Sequence, residues 1–225
     1  MSPRRKGSDP AFKAGATPSA NCGLCPRLVA FRGENRRAWP DWHNAPVPSF
    51  CGLDAELLVV GLAPGLKGAN RTGRPFTGDF AGDLLYRTLA DFGFATGTYG
   101  ADANDGFRLK NARVTNAVRC VPPANKPTGD EIAACRPFLV AEMAAMPALK
   151  AVLALGAIAH DSVLAAEGVR KSAARFAHGA RHALPSGRVL WDSYHCSRYN
   201  TNTGRLTAAM FADVVGAARD FLQNG

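Results

Sequence analysis

No part of the 225-residue sequence approaches the ~20 uninterrupted apolar residues of a spanning helix, so no membrane segment is expected. Acidic side chains are scarce. Asp and Glu number 18 against 27 Lys and Arg, a formal net charge of +9 that suits a polyanionic partner. There are only six cysteines, few for a disulfide framework in a chain of this length. The basic start Met1-Ser2-Pro3-Arg4-Arg5-Lys6 has no apolar stretch behind it, so no secretory signal is expected. A reducing cytoplasm follows as the expected location, and there paired cysteines hold a metal or a cluster more readily than a disulfide. The 47% of hydrophobic residues is enough for a substantial core and excludes disorder as the main state.

Residues 1–19 are rich in Ser, Gly, Pro, Lys and Arg without apolar periodicity and read as a mobile basic arm. From there on no internal repeat or second low-complexity linker appears, so residues 20–225 are expected to form one domain. Glu56 to Val60 is a short apolar run ending in Gly61, the pattern of a buried strand entering a glycine-rich loop. A helix is predicted from Ala81 to Phe92, with Gly93 as its stop. Arg113 to Val118 reads as a second strand. Thr128 and Glu131 form a capping box ahead of Ile132, Cys135, Leu139, Met143 and Met146 at helical spacing. Ala151 to Gly156 is a third strand with a helix over 157–167 behind it, Val189 to Trp191 a fourth strand, and a last helix is predicted from about Thr203. This alternation implies a parallel sheet of about four strands covered on both faces. Ligands then bind beyond the carboxyl ends of the strands, at the loops starting at Gly61, Asn116 and Tyr194.

Cys22 and Cys25 stand two residues apart at a helix start, and Cys120 and Cys135 follow a strand and enter the next helix. Four thiolates suit tetrahedral zinc or an iron-sulfur cluster, and the wide spacing of the second pair favours the cluster. Cys51 and Cys196 have no partner at ligand spacing. The loop Gly61-Leu62-Ala63-Pro64-Gly65 lets backbone N–H groups approach an anion or a carbonyl, but it is neither a P-loop nor a dinucleotide fingerprint. The segment from Ser193 to Leu206 interleaves polar, basic and aromatic residues before a helix, which suits phosphate contacts and insertion of a side chain into a base stack.

Together these segments resemble the iron-sulfur uracil-DNA glycosylases, specifically the type-b branch, also called family five. The resemblance rests on Cys22-x-x-Cys25, Gly61 to Gly65, Asn70-Arg71-Thr72-Gly73-Arg74 leading to Phe76-Thr77-Gly78-Asp79, Thr115-Asn116-Ala117-Val118-Arg119-Cys120, Cys135, and His195 running to Asn200-Thr201-Asn202-Thr203-Gly204-Arg205-Leu206. It spans residues 21–222. It implies a three-layer α/β/α domain, a 4Fe-4S cluster on Cys22, Cys25, Cys120 and Cys135, and hydrolysis of the N-glycosidic bond of uracil, and of other deaminated bases such as hypoxanthine, in single- or double-stranded DNA. In the family the histidine loop usually begins His-Pro-Ser, whereas Cys196 stands here in place of the proline that would fix the backbone.

The residues assign roles within that frame. By the resemblance Asn116 is expected to recognise the base, with an amide able to accept from N3–H and donate to a carbonyl. Phe76 stacks on it, and Gly61, Leu62, Ala63, Pro64 and Gly65 with His195 supply donors to the leaving base. Asp79 orients water, or else caps the helix near Ala81. Arg71, Arg74, Arg198, Tyr199, Asn200 and Arg205 are expected to face DNA, and a monomer is expected. Two rival readings are a zinc- or cluster-stapled nucleic-acid-binding protein without catalysis and an iron-sulfur redox protein.

Overall fold

The computed structural model describes residues 17–224; residues 1–16, most of the predicted arm, lie outside the described residues. Helix α1 (Pro26–Ala38) opens the fold, with Pro26 in its first turn, where a missing N–H costs nothing. Strand β1 (Leu57–Gly61) and the single turn α2 (Ala69–Thr72) follow, and then α3 (Phe80–Asp91), capped by Asp79, whose carboxylate accepts from the Ala81 N–H. A short hairpin of β2 (Ala95–Thr96) and β3 (Arg108–Leu109) leads to β4 (Ala112–Asn116). Next come α4 (Gly129–Ala144), β5 (Ala151–Leu155), α5 (Ala157–Ala166), β6 (Arg181–Ala183) and β7 (Val189–Ser193). The chain ends with α6 (Arg198–Asn202) and α7 (Ala208–Asn224).

The main sheet has the order β4-β1-β5-β7-β6. Its first four strands are parallel, as the alternation of strand and helix requires, and β6 adds an antiparallel edge that the sequence reading omits. Arg181-His182-Ala183 has no apolar pattern; backbone pairing to β7 makes it a strand. The α4 capping box forms as predicted. The last helix starts later than expected, because Gly204, at φ +69°, breaks the chain after the short α6.

The central strands are buried along their whole length, so one residue serves one face and the next the other. Leu57, Val59 and Leu153 pack with Leu85, Leu89, Phe211 and Val214 of α3 and α7. Leu58, Val60 and Val152 pack with Leu139, Met143 and Val163 of α4 and α5. The result is a three-layer α/β/α arrangement. A smaller cluster of Leu28, Val118, Cys135 and Phe138 ties α1 to α4. Among the described residues no helix is long and apolar enough to cross a membrane.

Candidate active site

The carboxyl ends of β1, β4 and β7 open into one cleft of about 490 Å³. Leu62 to Gly68 form one wall; Phe76, Asp79, Asn116, His195 and Arg198 also line it. Three regions far apart in sequence, 62–79, 116 and 195–198, therefore deliver predicted residues to one cavity.

Asn116 ends β4 and is buried, and its Oδ1 has no hydrogen-bond partner. A buried acceptor left unpaired costs on the order of 1–3 kcal/mol, so this atom is set for a donor that arrives with a ligand. Gly61, paired with Asn116 across β1 and β4, keeps the approach open. A Cβ there would stand 2.4 Å from Phe76 Cζ and 2.5 Å from Asn116 Oδ1. Phe76 is buried at φ +54°, a left-handed conformation that is costly for a bulky residue. Its neighbours hold it there: Tyr99 Oη donates to the Phe76 carbonyl at 3.2 Å, and Tyr86 Oη donates to that of Pro75. A Cβ on Gly82 would come within 1.7 Å of the same Phe76 carbonyl, so α3 can pack here only with glycine at that position.

Asp79 does two jobs. Its Oδ1 caps α3, while its Oδ2 lies against the glycines of the first loop: a Cβ on Gly65 or Gly68 would stand 3.0 or 2.4 Å from it. Helix cap and cleft residue are thus compatible readings of this side chain. Burial raises its carboxyl above the ordinary value, against the pull of backbone N–H donors. The His195 ring stacks at 5.9 Å on Phe76. Burial pushes it down to about 4, so the imidazole is neutral near pH 7 and carries one N–H donor.

The basic residues divide. Arg71 and Arg198 are exposed near the cleft, and the Arg198 guanidinium lies 5.4 Å from the Phe80 ring. Tyr199 is 72% exposed, and Arg205 lies over the Tyr194 ring at 4.6 Å. Asn200 is turned inward and donates to the His195 carbonyl at 2.8 Å. Arg74 requires a correction. It is buried, pairs in a fork with both carboxylate oxygens of Asp105, and sits among Phe50, Tyr86, Tyr99 and Phe107. No face of it is left for a phosphate; it pins the 74–79 segment to the loop before β3. Phe80 and Asn125 also line the cleft and escape the sequence reading. A signal for Asn125 exists in Pro122-Pro123-Ala124-Asn125, a turn cluster just beyond the end of β4.

A second pocket, beside α1 and α4, is lined by Cys22, Cys25, Cys120 and Cys135 together with Leu28 and Phe138. Arg32 donates to Cys120 Sγ at 3.6 Å and the Arg119 N–H to Cys135 Sγ at 3.4 Å. Burial pushes the Cys120 thiol up to about 12 and that of Cys135 up to about 11. Four cysteines lining one pocket, an apolar wall and N–H donors to sulfur fit a thiolate-bound metal group, whose positive charge would remove the penalty on the thiolates. Cys51 and Cys196 lie outside this pocket, and Cys196 is fully buried in the main core.

A three-layer α/β/α domain with a mostly apolar cleft at its strand ends, an orphaned amide oxygen, a neutral histidine and exposed arginines nearby suits a small planar group carried on a polyanion. Comparison with known proteins gives the particular family. The uracil DNA glycosylase superfamily matches residues 48–219, and the chain belongs to it. The chain is 48% identical over 204 residues to a type-5 uracil-DNA glycosylase of Thermus thermophilus, covering 88% of this chain and 92% of that protein. To the type-5 enzyme of Mycobacterium leprae it is 42% identical over 221 residues, 92% and 96% of the two chains. A type-4 enzyme of Pyrobaculum aerophilum is 32% identical over 151 residues, 67% of this chain and 63% of that one. The chain groups with the type-5 members.

Proposed function

We propose that this chain is a DNA-repair N-glycosylase that extrudes uracil from DNA and hydrolyses its N-glycosidic bond, leaving an abasic site. The observation that carries this reading is the unpaired Asn116 Oδ1, at a residue that lines a cleft roomy enough to admit a nucleobase. Uracil N3–H is the donor it lacks. Extrusion costs a few kcal/mol, least for a mismatched base, and stacking on an aromatic ring such as Phe76 returns about 1–3 kcal/mol. Tyr199, the most exposed of the large hydrophobic side chains among the described residues, is assigned to fill the vacated stack, with Arg71, Arg198 and Arg205 on phosphates.

Cleavage places positive charge on the sugar and negative charge on the departing base. Neutral His195 offers an N–H to that base without requiring a proton from solvent, and residues 62–65 line the same cleft. Asp79 lines the same cleft, and its carboxylate is assigned to orient water and stabilise the sugar cation. No bulky aromatic side chain occurs between Gly61 and Gly68, so the proposal includes deaminated purines such as hypoxanthine as substrates. Cys22, Cys25, Cys120 and Cys135 are assigned to a 4Fe-4S cluster; excision needs no electron, and the group would order the loops around it. We further assign residues 20–225 to one catalytic unit that acts as a cytoplasmic monomer.

A duplex with a single U, incubated with the protein and then treated with alkali, tests the reading. Strand scission at the U position is expected; an intact strand at stoichiometric enzyme rejects it.

A further inference from the structure

His195 lies in a loop with no proline to stiffen it, yet the backbone on its N-terminal side is held by a side chain from the loop between α5 and β6. The Tyr194 N–H donates to His178 Nδ1 at 3.2 Å. The His178 ring stacks flat on Tyr194, with centroids 5.0 Å apart and planes 15° apart, and the guanidinium of Arg205 lies over the same tyrosine at 4.6 Å. Carbonyls on either side are also engaged: Ser193 accepts from the Gly156 N–H, and His195 from Asn200.

His178 is itself on a loop, and that loop is fastened to the sheet by one carboxylate. Asp192, on β7 and fully buried, stands 2.8 Å from His160 Nδ1 and 3.0 Å from His182 Nε2, and accepts from the Ala177 N–H. The other ring nitrogen of His160 meets the Ala174 carbonyl at 3.1 Å. The backbone of Asp192 closes the turn: its N–H donates to Ala180, and its carbonyl accepts from Gly179. These ligand-type atoms of His160, His182 and Asp192 converge within 4.8 Å, and their hydrogen bonds to one another account for the cluster.

We propose that His178 is a positioning residue for excision: anchored through Asp192, it fixes the Tyr194 amide and ring and thereby places the His195 ring against the extruded base. The inference rests on the glycosylase reading of the cleft. The acceptor and the flat ring of His178 are separable. His178→Asn keeps an acceptor near Nδ1, His178→Phe keeps the ring, and His178→Ala removes both.

The test is single-turnover excision of U from duplex, with duplex affinity and amide hydrogen exchange at residues 194–196 followed alongside. His178→Ala is expected to slow excision about 10- to 100-fold, with affinity unchanged within about twofold, since small misplacements of a reacting group cost this much. Its exchange at 194–196 quickens, while His178→Asn stays protected and recovers much of the rate. In a His195→Ala background, His178→Ala adds nothing further, because the two act as one unit. An equal slowing in both backgrounds, a wild-type rate in His178→Ala, or unchanged exchange at 194–196 overturns the proposal. Exchange is read without turnover, so a wild-type protein that releases no uracil rejects the glycosylase reading and leaves this contact testable by itself.

Discussion

Asn116 and Asp79 show how far a single side chain can be read before its surroundings are known. From sequence, Asn116 is a strand-end amide and Asp79 an acid ahead of a helix; each has an ordinary structural use. Structure separates them. Asn116 keeps an unpaired oxygen, and Asp79 both caps α3 and faces the cleft. Asp79→Ala is expected to leave duplex affinity intact and slow base release about 10²- to 10⁴-fold in single turnover, the range for a lost acid-base group, with a stability loss of about 1 kcal/mol from the missing cap. The neutral histidine has a pH signature. His195 is pushed down to about 4 from 6.5, so its neutral form persists in the folded protein until the pH nears 4. Excision should therefore run level through pH 6.5 and fall toward pH 4, where protonation of Asp79, raised above 3.8, acts in the same direction. A midpoint near 6.5 in the pH–rate profile would argue against a neutral ring.

At the level of elements, the buried parallel strands were legible because both their faces are covered, and continuous apolar runs such as Leu57 to Val60 and Ala151 to Leu155 follow. The edge strand β6 and the fate of Arg74 were not. β6 is held by backbone pairing to β7 and by the contacts of His182 with Asp192 and of Arg181 with Trp191, and the surroundings of Arg74 come from Phe50, Tyr86, Tyr99, Phe107 and an aspartate 31 residues away, which no local pattern reveals. The Arg74–Asp105 pair belongs to stability and to the shape of the Phe76 turn. With side chains only 5% and 7% exposed, Asp105→Ala strands a buried guanidinium and is expected to cost about 3–5 kcal/mol in denaturant unfolding. Arg74 holds the Asp105 carboxyl well below its ordinary 3.8. The stability this pair contributes is thus complete above that value and lost as the pH falls below it, a slope absent from Asp105→Ala.

For the whole molecule, Arg71, Arg198 and Arg205 carry part of the positive excess seen in the composition. Binding to duplex should weaken steeply with salt, and each phosphate contact removed, as in Arg198→Ala, should lower the slope of log affinity against log salt by about 0.9. Arg74 would give no such change short of unfolding. The cysteines divide in the same way: four line one pocket, and the other two are packed elsewhere. Protein purified without oxygen is expected to be brown with four irons per chain, and Cys25→Ser to lose colour and fold together; a colourless, stable and fully active Cys25→Ser would remove the cluster from the account.

The central claim is that a nucleobase fills the place left open at Asn116. Release of free uracil from a U-containing duplex, measured in single turnover for the wild type and for Asn116→Ala with duplex affinity in parallel, tests it most directly. The expected result is rapid release by the wild type and a loss of about 10- to 100-fold in the variant at similar affinity, the cost of one buried hydrogen bond to the base. Equal rates in the two proteins would contradict it.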